Sequence, residues 1–357
     1  MANKLYEYIE TISNKRRFYN WQRELKKKEP KINLTGQQKD LIRNTFFKIP
    51  GIPKTSLHAH SYYSNIRNQF SPWYIPDAIW FAYIEPYFNP RIIGKVLDNK
   101  TLYNRFFPVS EMDGKHPEIV CYRINGFLVD EDYNPLSLEQ LLEKASEQPR
   151  IFIKLAQDSA GGQGVQSWTP VEGTERLKEI LDLLPGDLVI QKGIKQHPEV
   201  AKLNPDSVNT IRVLTMIRPD GDFKILSTVI RTGRTGSIVD NACSGGVLIG
   251  IDEKGKLNKE GYDFSGNRYT EHPDTKEKFE EITIPNFDKV KAFVKRLAWM
   301  IPQFRMPSWD IAMDESGSPV LVEVNMHSGG VQINQLCNGP VFGDLTKDIL
   351  QEVFSRK

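Results

Sequence analysis

Three polar side chains near the end of the chain have the types and spacing of ligands for a hard metal ion. Asp310 lies in one apolar run, and Glu323 and Asn325 lie two residues apart in the next run. A polar segment with a glycine separates the two runs, which predicts a β-hairpin. Because side chains alternate between the faces of a strand, Glu323 and Asn325 should share a face, together with Leu321.

These three side chains offer oxygen atoms only, without cysteine or histidine. Such oxygens suit a hard cation such as Mg²⁺, so a hairpin that brings Asp310, Glu323 and Asn325 together would form a metal site. An ordinary hairpin with polar residues on its solvated face explains the same residues. The choice between the two interpretations depends on what the rest of the chain can bind.

A second pattern suits phosphate binding. Lys154 lies in a predicted strand, residues 151–155, and a glycine-rich loop follows it. The loop residues of interest are Ser159, Gly161, Gly162 and Gly164. Glycines let backbone N–H groups approach phosphate oxygens closely, and a lysine adds a positive charge. The spacing matches neither a Walker loop nor a dinucleotide-binding loop, so a plain hairpin loop is the alternative interpretation.

Two arginines lie in predicted strands. Arg212 shares a strand face with Leu214 and Met216, and Arg231 ends the next strand. An arginine on an apolar face is costly unless it meets an anion. Each arginine therefore either binds an anionic ligand or forms a structural ion pair.

The composition is that of a soluble globular protein. The 357 residues allow two or three domains, with 39% hydrophobic and 26% charged residues. The formal net charge of +2 argues neither for nor against a polyanion, and we expect no nucleic-acid partner. The three cysteines lack metal-ligand spacing, which fits reduced thiols in the cytosol. No apolar run approaches the roughly 18 residues of a membrane helix, and no signal-peptide core is visible, so we expect a cytoplasmic protein.

The first 90 residues are predicted to be helical and rich in aromatic residues. A basic cluster within residues 15–28 either contacts an anionic surface at the inner face of the membrane or forms a solvated helix face. The aromatic residues between 57 and 90 either line a substrate-binding wall or pack a small helical subdomain. The next segment, residues 91–97, is predicted to form a strand.

Singly these patterns are weak, but their order along the chain resembles the ATP-grasp superfamily, and within it the sugar-transfer-associated ATP-grasp proteins. The segments that carry the resemblance are Lys154 with Gly161-Gly162-Gln163-Gly164, Gln196-His197-Pro198, Ser207-Val208-Asn209-Thr210-Ile211-Arg212, Val239-Asp240-Asn241 with Gly245-Gly246, Trp309-Asp310-Ile311-Ala312 and Glu323-Val324-Asn325. The resemblance covers residues 55–345. Proteins of this kind are encoded with bacterial surface-polysaccharide genes.

The resemblance implies a role for each matching residue. Asp310, Glu323 and Asn325 would hold one or two Mg²⁺ ions, with Mn²⁺ as an alternative, between the phosphates of ATP. The residues that would bind the nucleotide side of the site are Lys100, Lys154, Ser159, Gly161, Gly162, Gly164, Gln191, Lys192, Ile194 and Asp240. Of these, Gln191, Lys192 and Ile194 would form the hinge against adenine. The implied catalytic residues are Arg212, Arg231 and Asn325, with the arginines neutralising the transferred phosphoryl group.

The implied fold class is α+β: an ATP-grasp fold of two α+β subdomains that clasp ATP, with an N-terminal helical extension. The expected domains are residues 1–90, helical and aromatic, residues 91–195, a lid with the glycine-rich loop, and residues 196–357, with the metal site. The implied activity is ATP-dependent ligation of a carboxylate and an amine, small or glycan-linked, through an acyl phosphate. The alternatives are a kinase for a sugar or lipid hydroxyl and a non-enzymatic nucleotide-binding module of a polysaccharide-assembly complex.

Overall fold

Two antiparallel β-sheets form the framework of the computed structural model. It describes residues 12–16, 18–20, 23, 33–109, 112–157, 164–236, 245–327 and 329–355. The strands are β1 (Ile119–Ile124), β2 (Phe127–Val129), β3 (Ile151–Leu155), β4 (Gln166–Trp168), β5 (Leu188–Lys192), β6 (Thr210–Ile217), β7 (Phe223–Thr232), β8 (Val247–Ile251), β9 (Leu257–Tyr262), β10 (Arg268–Tyr269), β11 (Ser308–Met313) and β12 (Pro319–Asn325). The smaller sheet has the order β2-β1-β5-β3-β4, and the larger one has the order β10-β9-β8-β7-β6-β11-β12.

Helices pack against both sheets, which confirms the α+β class. The α-helices are α1 (Gly36–Asn44), α2 (His58–Arg67), α3 (Asp77–Ile79), α4 (Glu85–Phe88), α5 (Arg91–Leu97), α6 (Tyr103–Phe106), α7 (Leu138–Ser146), α8 (Thr174–Leu183), α9 (Pro198–Ala201), α10 (Phe287–Met300), α11 (Val331–Asn338) and α12 (Thr346–Ser355). A π-helical turn, Trp80–Ile84, joins α3 to α4, and a 3₁₀ turn, Lys100–Leu102, precedes α6. Further 3₁₀ turns are Phe46–Lys48, Pro170–Glu172, Phe279–Glu281 and Gly343–Leu345. Within the described ranges, no helix is long and apolar enough to cross a membrane.

The smaller sheet starts from a two-residue hairpin. Asn125 and Gly126 join β1 to β2 with φ angles of 49° and 84°, as a type I′ turn requires. Side chains from α7 and α8 cover one face of this sheet and bury Trp168 of β4. The same sheet carries Lys154 on β3 and Gln191 on β5, two of the residues expected to bind the nucleotide.

The larger sheet is covered on both faces. Along β6, Ile211 and Val213 face a core that includes α10, whereas Leu214 and Met216 face a core made with the N-terminal helices and α12. By alternation, Arg212 belongs to the second face. The N-terminal region therefore packs on the face that carries the predicted site. The domain boundaries after residues 90 and 195 stay predictions.

The aromatic residues between 57 and 90 supply much of this packing. Tyr63, Tyr74, Trp80 and Phe88 are at most 1% exposed. The ring of Trp80 stacks on Phe342 with 5.9 Å between the centroids. For these residues, packing rather than a substrate-binding wall is the interpretation that the structure supports.

Much of the N-terminal basic cluster lies outside the described residues, namely Arg17, Lys26, Lys27 and Lys28. Lys15, Arg16 and Arg23 are described. All three side chains are exposed, which fits both a solvated helix face and contact with an anionic surface. Contact of this cluster with a membrane stays a prediction.

The segment predicted as a strand at residues 91–97 is the helix α5 instead. Isoleucine and valine favour strands, but that preference is weak and depends on neighbouring strands. Pro90 at the N-terminal cap has φ of −60° and no N–H to leave unpaired, which suits the start of a helix. Ile93 and Val96 stay about half exposed on this helix, at 47% and 49%.

The hairpin predicted near the end of the chain is confirmed as β11 and β12, with one difference. Asp310 pairs with Glu323, but the next residue, Ile311, pairs with Leu321, so Val322 is the extra residue of a β-bulge. A bulge reverses the alternation of side chains beyond it. Leu321 consequently packs in the same core as Val324, and the expectation that it shares a face with Glu323 was wrong.

Candidate functional site

Strand pairing places three charged side chains side by side in the larger sheet. Asp310 on β11 lies opposite Arg212 on β6 and, on its other side, opposite Glu323 on β12. Side chains directly opposite each other in an antiparallel pair lie close enough to interact. Asp310 is 1% exposed, so its partners determine whether the buried carboxylate can remain charged.

Two arginines bind that carboxylate. Arg212 donates from Nε to Oδ1 and from Nη2 to Oδ2 of Asp310, the second at 2.9 Å. Arg231 donates from Nη2 to the same Oδ2 at 2.9 Å, and its guanidinium also donates to Thr210 Oγ1 at 3.0 and 2.7 Å. Burial alone would raise the pKa of Asp310, but the two guanidinium groups hold that pKa below its ordinary value.

Each arginine thus forms an ion pair within the protein, one of the two contacts expected from the sequence, and binding of an anionic ligand by either arginine stays a prediction. The side chain of Arg212 is 6% exposed and that of Arg231 is 17% exposed. Arg212 also donates to the carbonyl of Gly329 at 3.4 Å. Arg231 is the less buried of the two arginines.

Glu323 meets a lysine from another part of the chain. Lys100 Nζ lies 2.8 Å from Glu323 Oε1, with the lysine side chain 9% and the glutamate side chain 29% exposed. The backbone N–H of Lys100 donates to Ala156 O at 2.9 Å, just beyond the strand that contains Lys154. This lysine therefore joins the start of the glycine-rich loop to the C-terminal hairpin.

Asn325 completes the predicted metal-binding set. Its Nδ2 lies 3.4 Å from Asp310 Oδ2, so the three predicted ligands are neighbours on adjacent strands. All three offer oxygen atoms, and rotation of the Asn325 amide would turn its oxygen towards a metal ion. This donor set fits Mg²⁺ in chemical type.

The charges around these donors indicate what else the site needs. Two carboxylates, Asp310 and Glu323, face three cations, Arg212, Arg231 and Lys100, which leaves one positive charge in excess. In the part of the chain that the structure describes, no group of three or more His, Cys, Asp or Glu side chains could hold a metal ion. The cluster thus fits a metal ion that arrives with an anionic ligand better than a metal ion alone.

We expect Mg²⁺ alone to bind this cluster weakly and to bind well together with a nucleotide, because phosphate oxygens supply the missing negative charge. Thermal unfolding tests this: ADP with Mg²⁺ should raise Tm more than ADP with EDTA, and Mg²⁺ alone should leave Tm nearly unchanged. The affinity for ADP should rise roughly 5- to 150-fold with Mg²⁺, the usual range for coupled ligands. An equal rise in Tm with Mg²⁺ alone would contradict the expectation.

The other predicted residues are placed less completely. Lys154 lies on β3 opposite Val189. Gly164 has φ of +76°, and a Cβ at this position would lie only 2.8 Å from the Leu155 side chain, so the position requires glycine. The predicted nucleotide-binding residues outside the described ranges are Ser159, Gly161, Gly162 and Asp240. Their contact with the nucleotide stays a prediction.

The predicted hinge lies on and just after β5 of the smaller sheet. Gln191 is 8% exposed, and Lys192 Nζ pairs with Glu118 Oε2 at 2.6 Å. Ile194 follows the strand. A contact of these three residues with adenine stays a prediction.

Two residues of the site were not identified from the sequence. Thr210, which accepts hydrogen bonds from Arg231, lies two positions before Arg212 on the same strand face, and alternation alone could have identified it. The hydroxyl of Tyr103 accepts from the N–H of Val324, the residue after Glu323 on β12, at 3.2 Å. Only the long-range packing of α6 against β12 brings Tyr103 there.

A family model for sugar-transfer associated ATP-grasp proteins matches residues 82–351, which is more than half of the chain. No curated protein compared with this sequence matches it.

The chain also resembles solved structures at low identity. The biotin carboxylase domain of a 2-oxoglutarate carboxylase from Hydrogenobacter thermophilus is 13% identical, with a TM-score of 0.44 over 75% of this chain and 47% of that chain. The D-alanyl-alanine synthetase A from Vibrio cholerae is 13% identical, with a TM-score of 0.41 over 73% and 66% of the two chains. A D-Ala:D-Ser ligase from Enterococcus faecalis is 8% identical, with a TM-score of 0.42 over 72% and 61%. This chain thus matches between about half and two thirds of the length of these proteins.

Proposed function

Because the chain belongs to the sugar-transfer associated ATP-grasp family, we propose that it is an ATP-dependent ligase that joins a carboxylate to an amine through an acyl phosphate. The supporting observation is one cluster of oxygen donors and cations on adjacent strands, formed by Asp310, Glu323, Asn325, Arg212, Arg231 and Lys100. The family is described as sugar-transfer associated, and we propose that the substrates are small or glycan-linked and belong to the modification of surface polysaccharides or glycoconjugates.

The proposed reaction has two steps. A carboxylate oxygen of the substrate attacks the γ-phosphorus of ATP, the bond from that phosphorus to the bridging oxygen breaks, and ADP leaves. The amine nitrogen then attacks the acyl carbon, the C–O bond to phosphate breaks, and the nitrogen loses a proton. A carboxylate needs this activation because it is a poor electrophile, and the task of the protein is positioning and charge neutralisation.

In this proposal the cations of the cluster exchange partners when ATP binds. Lys100 leaves Glu323 for a phosphate oxygen, and Arg231, the more exposed arginine, turns from Asp310 towards the transferred phosphoryl group. Arg212 stays on Asp310 and keeps that carboxylate ionised and oriented. Mg²⁺ held by Asp310, Glu323 and Asn325 would neutralise charge on the phosphate oxygens.

Trapping with hydroxylamine tests the ligase proposal. The protein is incubated with ATP, Mg²⁺, hydroxylamine and a panel of uronic acids and amino acids. A ligase should form an acyl hydroxamate and an equal amount of ADP with at least one carboxylate, because hydroxylamine replaces the amine in the second step. Omission of the carboxylate is the control and should abolish the hydroxamate.

The alternatives give different products in the same experiment. A phosphorylated sugar or lipid hydroxyl without any hydroxamate would replace the ligase proposal with a kinase. Binding of ATP without turnover in the presence of any acceptor would favour a nucleotide-binding module. Glu323→Gln separates an enzyme from a binding module further: loss of turnover with retained binding of ATP would rule out a purely binding role.

A further inference from the structure

One asparagine from the N-terminal region joins the two open ends of the β11–β12 hairpin. Asn89, which follows α4, is 1% exposed. Its Nδ2 donates to Met306 O and to Met326 O, each at 2.8 Å, and its Oδ1 accepts from Met306 N at 3.1 Å. Met306 lies two residues before β11 and Met326 lies directly after Asn325. A single side chain therefore holds the entry to one strand and the exit from the other.

A second contact at the same end of the hairpin supports this arrangement. His327 Nε2 lies 3.2 Å from Asn89 O, so the imidazole donates to the backbone of the same asparagine. The helix α5 runs so close to that ring that a Cβ on Gly94 would lie 2.2 Å from His327 Cε1. Asn89 and Gly94 thus lie against the two residues that follow Asn325.

The position of Asn325 depends on this support. Asn325 pairs with Ser308 at the last rung of the hairpin, and the ladder ends there. Without the Asn89 amide, the carbonyls of Met306 and Met326 would lose buried hydrogen bonds. The end of β12 would then be free to move away from Asp310, to which the Asn325 amide now points at 3.4 Å.

We infer that Asn89 is a positioning residue for the metal-binding end of the ATP site: it holds Asn325 in register with Asp310 and Glu323. The inference rests on the proposed function, because it assigns Asn325 to a bound metal ion. Asn89 touches neither substrate nor metal in this role. Loss of a group that orients a metal ligand usually weakens metal binding roughly 10- to 100-fold.

The test compares Asn89→Ala with Asn204→Ala. Asn204 is also fully buried and also makes three polar contacts, donating to Ser207 Oγ at 2.9 Å and Arg234 O at 3.4 Å and accepting from Asp206 N at 3.1 Å. The measurement is the Kd of a non-hydrolysable ATP analogue with Mg²⁺ and with EDTA. In Asn89→Ala the gain in affinity that Mg²⁺ provides should fall roughly 10- to 100-fold, whereas Asn204→Ala should keep the wild-type gain.

A hydrogen-exchange measurement without any ligand keeps the inference testable by itself. The amides of residues 324–327 should exchange faster in Asn89→Ala than in Asn204→Ala. Asn89→Ser is the second variant in case Asn89→Ala does not fold, since its single hydroxyl donor can replace at most one of the two hydrogen bonds that Asn89 Nδ2 donates. It should also lower the gain in affinity that Mg²⁺ provides.

The outcomes separate this inference from the proposed function. If the wild type shows no Mg²⁺-dependent binding of the analogue, the proposed function fails, while hydrogen exchange still decides whether Asn89 holds the end of β12. If the wild type binds with Mg²⁺ and Asn89→Ala keeps both the wild-type gain in affinity and the wild-type exchange rates, the inference is overturned.

Discussion

Replacement of Asp310 by alanine should lower the free energy of unfolding by about 3–5 kcal/mol, because it leaves buried cations without their anion. The Arg212 side chain is 6% exposed and that of Arg231 is 17% exposed, and both donate to this carboxylate. Urea unfolding of the wild type and of Asp310→Ala measures the difference.

Two further variants control the interpretation of this loss. Asp222→Asn removes the Lys224–Asp222 ion pair, in which both side chains are 45% exposed, and should cost less than about 1 kcal/mol. Adding Arg212→Met to Asp310→Ala should recover part of the loss, because it removes a buried charge rather than leaving it unpaired. A loss below about 1 kcal/mol in Asp310→Ala would show that the arginines find other partners.

The difference in free energy of unfolding between the wild type and Asp310→Ala should depend on pH, because the pKa of Asp310 is lowered in the folded protein. A carboxyl whose pKa is lower in the folded state stabilises the protein above its unfolded pKa, which is about 3.9 for aspartate. The advantage of the wild type over Asp310→Ala should therefore persist from neutral pH to about pH 4. It should shrink as the pH falls further, towards the pKa of the folded state.

Replacement of Glu323 by glutamine should reduce turnover on the order of 100-fold. Loss of a charged metal ligand removes part of the several kcal/mol that a metal ion supplies to phosphoryl transfer, and each about 1.4 kcal/mol corresponds to tenfold in rate. The measurement is the rate of ADP release, with the carboxylate substrate that forms a hydroxamate in the trapping experiment. Binding of the ATP analogue should weaken far less than turnover, since Lys100 is then released for a phosphate oxygen.

Glu260→Gln is the matched control for this variant. Glu260 lies on β9 of the same sheet and pairs with Arg268 at 3.0 Å, with the two side chains 38% and 34% exposed. Its replacement should leave the rate of ADP release within about twofold of the wild type, as is usual for a surface substitution away from the site. Wild-type turnover in Glu323→Gln would remove this carboxylate from the mechanism.

Local patterns in the sequence were sufficient to predict the hairpin and its three oxygen donors. Two apolar runs with a polar turn specify β11 and β12, and the spacing of Glu323 and Asn325 places both on one face. The strand that carries Lys154 was predicted by the same reasoning. These features depend on residues that are close together in the chain.

The partners of these groups depend on long-range pairing, which local patterns do not specify. Asp310 meets Arg212 only because β11 pairs with β6 in one register across 98 positions of sequence. The bulge at Val322 could not be predicted either, because the alternation of side chains assumes a ladder without extra residues. Asn89 reaches Met306 and Met326 across 217 and 237 positions, and nothing in its local sequence marks it.

A crystal structure with Mn²⁺ and a non-hydrolysable ATP analogue tests the central claim most directly. The anomalous signal of Mn²⁺ should lie about 2 Å from oxygens of Asp310, Glu323 and Asn325, between these residues and the phosphates of the analogue. Lys100 should have left Glu323 for a phosphate oxygen. A metal ion bound away from these three residues, with the Lys100–Glu323 pair intact, would contradict the assignment of this hairpin to the metal end of an ATP site.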